Sequence, residues 1–458
     1  MSTLSNSPFK AYDIRGRVPD ALNEQRARRI GQAFAEVIRP CGPVAIGRDM
    51  RLSSPALAEA LTGGLNLAGI DTIDIGLCGT ELVYHAASRD GMGGGIMVTA
   101  SHNPADYNGM KMVREEAIPI SADTGLKEIE SVLAEERPEI PAASPGQHRQ
   151  EDLNEEYVKR MLAGINGDRI RPLKLVVNAG NGCAGPAFDA IAENLPLEVV
   201  RLHHQPDGRF PNGVPNPLLS ENRAETAQAV RDHNADFGIA WDGDFDRCFF
   251  FDNDGRFIEG YYLVGLFAAR LLEKKPGQTI VLDPRLTWNT LDQVAKAGGR
   301  AVINKSGHAF IKERMRAENA LYGGEMSAHH YFRDFSFCDS GMLPWLLLAE
   351  TISQTGRSLA ELVDERIRAF PCSGELNFEV SDTDEVIGRV LREFSGDDPV
   401  IDRTDGISLE FDDWRFNLRA SNTEPVIRLN VETRADSELL EEKTGRLSDL
   451  IRAMSKAT

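Results

Sequence analysis

Gly95-Ile96-Met97-Val98-Thr99-Ala100-Ser101-His102-Asn103-Pro104 sets the pattern on which the chain is built. Its first four residues are an uninterrupted apolar run, the length of a strand buried on both faces. The polar residues that follow place a serine hydroxyl just past the strand end. A serine on a tight strand-to-loop turn is well placed for covalent chemistry. Ser, Asn and Pro also form turns for purely local reasons, so this segment alone leaves both readings open.

Working outward, strand-like and helix-like segments alternate, which argues α/β units. Strands over 43–47 and 72–77 flank an amphipathic helix near 55–68. A Pro-, Glu- and Ala-rich stretch, 134–150, reads as a linker. A second unit has a helix near 155–165, strands over 173–177, 198–202 and 237–241, and a hairpin of 248–251 with 256–258. A third has a strand at 279–282 and helices near 262–274, 290–297, 309–318, 343–353 and 359–369. After Phe370 the texture changes to strand, helix (385–394), further strands and a terminal helix (437–454), an α+β pattern of another kind. The divisions expected are 1–148, 149–252, 253–368 and 369–458.

The chain has 458 residues, too many for one core, and the 41% hydrophobic and 26% charged content of a globular protein. Its net charge of -19 argues against nucleic acid, and means that an anionic substrate requires a locally basic cleft. Cys41, Cys78, Cys183, Cys248, Cys338 and Cys372 show no zinc spacing and read as free thiols of a reducing compartment. The N-terminus lacks signal-peptide character and no apolar run reaches the ~20 residues of a membrane span. A cytoplasmic protein without membrane association is expected, and no obligatory protein partner is evident.

Four loops carry the chemistry. Besides the serine loop, Asp242-Gly243-Asp244-Phe245-Asp246-Arg247 follows an apolar strand. In an extended segment, carboxylates at alternate positions point one way, and three hard oxygen ligands suit Mg²⁺. An EF-hand fails, because its sixth position is Arg247 and its twelfth Asn253. In Gly323-Gly324-Glu325-Met326-Ser327-Ala328-His329-His330, Glu and Ser are side chains that grip vicinal hydroxyls, and the histidines bind phosphate, shuttle protons or ligate metal. Arg419-Ala420-Ser421-Asn422-Thr423-Glu424-Pro425, with Arg428 beyond, is a dense set of phosphate donors. Gly180–Gly185 matches GxGxxG, but the next strand ends without an acid for a ribose, so a tight turn into a helix is expected. The charged residues of 9–16 and 47–51 read, alone, as surface charge.

The four motifs, in this order from Tyr12 to Arg428, resemble the α-D-phosphohexomutase superfamily, in its bacterial phosphomannomutase/phosphoglucomutase branch. The resemblance implies four domains in a heart-shaped arrangement, three related α/β units plus a C-terminal α+β domain like the TATA-binding protein. It implies reversible phosphate transfer between O1 and O6 of a hexose phosphate, through a phosphoserine and a hexose 1,6-bisphosphate that is intermediate and activator. By motif, Ser101 is the phosphoserine. Asp242, Asp244, Asp246 and a phosphoserine oxygen hold Mg²⁺, and Arg247 faces the substrate. Glu325 and Ser327 bind the sugar's O3 and O4. Arg419, Ser421, Asn422, Thr423 and Arg428 bind the phosphate that does not react. Tyr12, Arg15, Lys111, His308 and His329 also match site positions. Arg15 and Lys111 neutralise the transferring group, with His329 or Lys111 as proton acceptor. Arg285 stands where many relatives carry Lys, keeping the charge and changing the hydrogen-bond geometry. A Mg²⁺-dependent phosphatase and a non-catalytic sugar-phosphate binder are the alternatives.

Overall fold

Strands β1 (Ile14–Arg17), β2 (Val44–Arg48), β3 (Thr72–Leu77), β4 (Gly94–Val98), β5 (Tyr107–Arg114) and β6 (His148–Gln150) form a sheet in the order β1-β5-β4-β2-β3-β6. The inner strands β2, β3 and β4 run parallel, while β5 turns back antiparallel to β4 and to β1. Every residue of β4 is buried, as its apolar sequence demands. The expected linker 134–150 is corrected at its end. Residues 148–150 are β6, an edge strand parallel to β3, because exposed polar residues are tolerated where only one side of a strand is paired. The computed structural model describes residues 7–135, 141–420 and 426–455.

Two helices cover this sheet. Helix α1 (Glu24–Ile38), capped by the Asn23 side chain, turns Ala27, Ile30, Ala33 and Phe34 inward. Helix α2 (Ser54–Leu67) contributes Leu57, Leu61 and Leu65 to the same core. The backbones touch where they cross: a Cβ on Gly64 would lie 1.9 Å from the Arg28 carbonyl oxygen, and one on Gly31 2.4 Å from that of Leu61. A third helix, α3 (Thr80–Ala87), is buried along its length. A second sheet follows, of β7 (Leu173–Asn178), β8 (Leu197–Leu202), β9 (Phe237–Trp241) and β10 (Cys248–Phe251). In it β7 lies parallel between β8 and β9, and β10 returns antiparallel along β9. The Gly180–Gly185 segment is a tight turn into the helix Ala184–Ala192.

By packing, the chain divides into two compact units, Met1–Phe257 with His329–Gly356, and Ile258–Ala328 with the residues from Arg357 onward. The first unit contains both sheets above. Its returning segment supplies the hairpin His330–Phe332 with Cys338–Asp339 and a buried helix, Leu343–Thr355, whose Trp345 packs on Phe188 at 4.9 Å.

In the second unit, Thr279–Leu282 lies parallel to Arg300–Ile303 and to Tyr322–Gly324, with helices Gly260–Lys274, Trp288–Lys296 and His308–Glu318 around them. The C-terminal part is an all-antiparallel sheet of Leu376–Glu379, Val426–Thr433, Trp414–Ala420, Ile407–Glu410 and Val400–Asp402, in that order. Helices Thr383–Phe394 and Ser437–Ser455 bury its apolar face. Among the described residues no helix is long and apolar enough to cross a membrane.

The α1–α2 crossing is a stringent test of this packing. Gly64→Ala should destabilise the protein by roughly 1–3 kcal/mol through overpacking against backbone. Thermal unfolding by circular dichroism reads this as a lowered Tm, and an unchanged Tm contradicts the close approach.

Candidate active site

The serine loop leaves the carboxyl end of β4, where ligand-binding loops of parallel sheets gather. Ser101 sits at φ 48°, a left-handed conformation that few non-glycine residues adopt. What holds it there is Arg51. Its Nη1 donates to the carbonyls of Pro104 (2.6 Å) and Tyr107 (3.0 Å), and its Nη2 to those of Ser101 (2.9 Å) and Asn103 (2.6 Å). Asp49 lies 3.2 Å from Arg51 Nε and accepts from the hydroxyls of Ser54 and Thr99. Thr99 Oγ1 in turn accepts from the Ser101 amide at 2.9 Å. The reading of 47–51 as surface charge is therefore corrected: Arg51 is 1% exposed and Asp49 2%. Both follow β2, a parallel neighbour of β4, and that placement was the available signal.

The aspartate loop departs from the extended conformation expected. Phe245 adopts φ 47° and its amide donates to the Asp242 carbonyl, closing a turn. The turn, and not strand alternation, converges the carboxylates of Asp242, Asp244 and Asp246, one oxygen of each lying within 4.8 Å of the others. Ser101 Oγ donates to Asp242 Oδ2 at 2.7 Å, joining the two loops. Only glycine fits at 243, where a Cβ would come 2.4 Å from the Ser101 carbonyl oxygen.

Buried carboxylates need compensating charge. Arg247 donates through Nε (2.9 Å) and Nη2 (2.7 Å) to Asp242 Oδ2. Burial pushes the Asp242 carboxyl up, but the Arg247 guanidinium, with His102 nearby, outweighs it and holds it well below the carboxylate range. Lys111, on β5 opposite Met97, donates to Asp244 Oδ2 at 2.6 Å and to Asp246 Oδ2. Burial opposes its charge, yet the two aspartates raise its hold on the proton. Lys111 and His329, the two proton acceptors expected, thus both border the triad. Asp244 Oδ1 and Asp246 Oδ1 remain buried without a hydrogen-bond partner. Orphaned hard oxygens on converging carboxylates are the donor set a divalent cation satisfies.

His102 also lies beside the serine, its Nδ1 3.0 Å from Ser101 Oγ. Burial and Arg247 lower its pKa to about 4, and Arg247 Nη2 donates to that same Nδ1. A lone pair already engaged by a guanidinium is a weak base for the serine. His329 Nε2 lies 3.8 Å from Asp246 Oδ1, and its ring stacks on Tyr331. Arg15 donates to Asp13 (2.7 Å) and to Asn103 Oδ1 (2.6 Å) beside the serine loop. Tyr12 precedes it on the same segment, half-buried.

The second unit assembles the remaining residues by itself. Asp283-Pro284-Arg285 follows Thr279–Leu282, and Glu325-Met326-Ser327 follows Tyr322–Gly324, so parallel strands aim both at one edge. Arg285 forks onto Asp283, Nε to Oδ1 at 3.0 Å and Nη2 to Oδ2 at 2.9 Å. Nη2 also reaches Ser327 Oγ at 3.2 Å and lies 3.6 Å from Glu325 Oε1. A planar fork serves these acceptors together, which a lysine ammonium does not. Glu325 Oε1 accepts from the Gly307 amide at 2.9 Å, beside the buried His308 that opens the helix His308–Glu318. Met326 is buried, its sulfur against Asn430 at 3.3 Å.

Arg419 and Arg428, expected at a loop, face each other across strands Trp414–Ala420 and Val426–Thr433 as a register pair. Glu375 joins them, a residue that sequence reasoning missed: it lies 3.3 Å from Arg428, 3.3 Å from Arg285 and 3.6 Å from Arg419. Ser421, Asn422 and Thr423 lie outside the described residues.

The chain matches the phosphoglucomutase/phosphomannomutase profiles for alpha/beta/alpha domain I over residues 6–139, domain II over 155–255, domain III over 259–370 and the C-terminal domain over 375–447. It is 60% identical over 444 residues to a protein named phosphohexose mutases from Xanthomonas campestris pv. campestris (strain B100), covering 97% of this chain and 99% of that one. Phosphomannomutase of Escherichia coli (strain K12) is 55% identical over 449 residues, covering 97% and 98%. A crystal structure of a phosphoglucomutase/phosphomannomutase family protein from Burkholderia thailandensis superposes with a TM-score of 0.89 at 33% identity, covering 99% of both chains.

The Arg51 clamp makes a prediction of its own. Arg51→Ala leaves buried carbonyls and the Asp49 carboxylate without their partner, and should destabilise the first unit by about 3–5 kcal/mol. Arg51→Lys should rescue little of this, because one ammonium does not span carbonyls served by two guanidinium nitrogens. Denaturant unfolding measures both, and wild-type stability in the Lys variant contradicts the clamp.

Proposed function

The chain belongs to the phosphoglucomutase/phosphomannomutase family and interconverts hexose phosphates, and from that premise we propose that Ser101 carries the phosphate moved between O6 and O1 of the sugar. The observation that supports this most is the Ser101 hydroxyl bonded at 2.7 Å to an aspartate of a converging carboxylate triad. Asp242, Asp244 and Asp246, with an oxygen of phosphorylated Ser101, would hold Mg²⁺. When bound, the ion supplies positive charge for the transferring phosphate and for the serine oxygen as it leaves.

Phosphoryl transfer is positioning and charge neutralisation above all. Arg247, Lys111 and Arg15 bring cationic groups around Ser101 and the triad. In the first half-reaction the phosphorus–serine oxygen bond breaks, a bond to the sugar hydroxyl forms, and the hydroxyl proton passes to a base. Lys111 is committed to two carboxylates, so His329 takes this role. The second unit supplies the grip: Glu325 and Ser327 for O3 and O4, and Arg285, Arg419 and Arg428 for the phosphate that does not react. The hexose 1,6-bisphosphate then turns over, and the same step in reverse returns a phosphate to Ser101. Paired hydroxyls that exchange places on turning suit one loop to both orientations. A phosphatase has no use for the sugar grip and distal phosphate donors, and a non-catalytic binder has none for Ser101 and its carboxylates.

Glucose and mannose phosphates differ at O2, and a comparison of kcat/KM on the two 1-phosphates, with a bisphosphate activator, identifies the preferred sugar. Ser101→Ala should cut kcat by orders of magnitude in the coupled mutase assay; near-normal turnover contradicts the phosphoserine. Removing divalent ions with a chelator should abolish activity, and adding Mg²⁺ should restore it. Arg419→Ala should raise KM roughly tenfold or more while kcat changes less; an unchanged KM removes Arg419 from the phosphate grip.

A further inference from the structure

Glu375 stands among the three arginines assigned above to the phosphate that does not react. Its Oε2 accepts from Arg285 Nη1 at 3.3 Å and lies 3.6 Å from Arg419 Nη2, while Oε1 lies 3.3 Å from Arg428 Nη1. Well-formed arginine–carboxylate bonds measure about 2.7–2.9 Å. Arg285 makes closer contacts to Asp283, at 2.9 and 3.0 Å, through two other nitrogens of the same guanidinium. Asp283 is therefore the fixed partner of Arg285, and Glu375 is shared loosely among three cations.

Those cations need an anion nearby. Arg285 and Arg419 are almost fully buried, and Arg428 is mostly so. Burial and neighbouring Arg285 lower the hold of Arg419 on its charge, and Glu375 opposes this. A phosphate monoester dianion carries twice the charge of a carboxylate and more acceptor oxygens, so it suits three guanidinium forks better.

We propose that Glu375 is an internal substitute for phosphate: it neutralises Arg285, Arg419 and Arg428 when no ligand is bound, and competes with the substrate's phosphate for their donors. The proposal rests on reading this cluster as a phosphate site. Its consequence is a deliberately weakened grip. A bisphosphate that must leave and be recaptured turned around needs a site that releases it, and a resident carboxylate lowers the cost of release by taking the donors back. Glu375 acts through the arginines, so it is a positioning residue.

The test is phosphate affinity. Glu375→Gln keeps the shape and removes the charge, and inorganic phosphate is the probe, by titration calorimetry and by the rise in Tm that it causes. The Kd should fall about tenfold relative to wild type, and phosphate should raise Tm by more in the variant. With glucose 1-phosphate, KM and kcat should fall together, as expected when release slows. Glu375→Asp, whose carboxylate retreats from the arginines, should tighten phosphate by a smaller factor and serves if the Gln variant does not fold. Phosphate binding unchanged or weakened in either folded variant overturns the proposal. Arg419→Ala separates the two ideas. If it leaves phosphate affinity unchanged, the phosphate site itself is misread. If it weakens phosphate while neither Glu375 variant tightens it, only the role of Glu375 falls.

Discussion

The hydrogen bond from Ser101 Oγ to Asp242 Oδ2 is the contact on which the rest of the first unit converges. It joins loops from two sheets, and neither loop holds its shape unaided. Ser101 lies in a left-handed conformation, and Phe245 in the aspartate loop does too. Strain of this kind persists where surrounding structure over-determines it. Here the surroundings are Arg51 beneath the serine loop and a glycine at 243 that lets the backbones meet. The hydroxyl is thus directed at the triad before any ligand arrives.

The same contact dictates the electrostatics. Three carboxylates under one turn repel one another, and Arg247 and Lys111 offset them directly. The cations are internal to the fold, which reconciles a net charge of -19 with chemistry on anionic phosphates. The second unit inverts the arrangement, with three arginines around one carboxylate. Each unit keeps its charged site near balance with side chains of its own.

Much of this was legible in the residue order because strands end where polar motifs begin. The apolar run before Ser101 and the strand before Asp242 are both buried strands as expected, and the motif order matched the family that the comparisons show. What escaped notice depends on pairings distant in sequence. Asp49 and Arg51 look like surface charge until β2 is seen beside β4. Glu375 carries no motif and gains its role from Arg285, which precedes it by 90 positions in the chain. Spacing by two suits a strand and equally a turn whose central residue has positive φ, as Phe245 does, so the residue order alone does not separate them. The sugar preference was not legible, since no residue in the motifs reads O2.

The central claim is that Ser101 is the site of covalent phosphate. The direct measurement is peptide mass spectrometry on the purified enzyme after incubation with glucose 1,6-bisphosphate and Mg²⁺. The account predicts one phosphate, located on Ser101, and its loss when hexose 1-phosphate is then added in excess to generate bisphosphate. An active enzyme whose phosphate resides on another residue, or that carries none under these conditions, contradicts it.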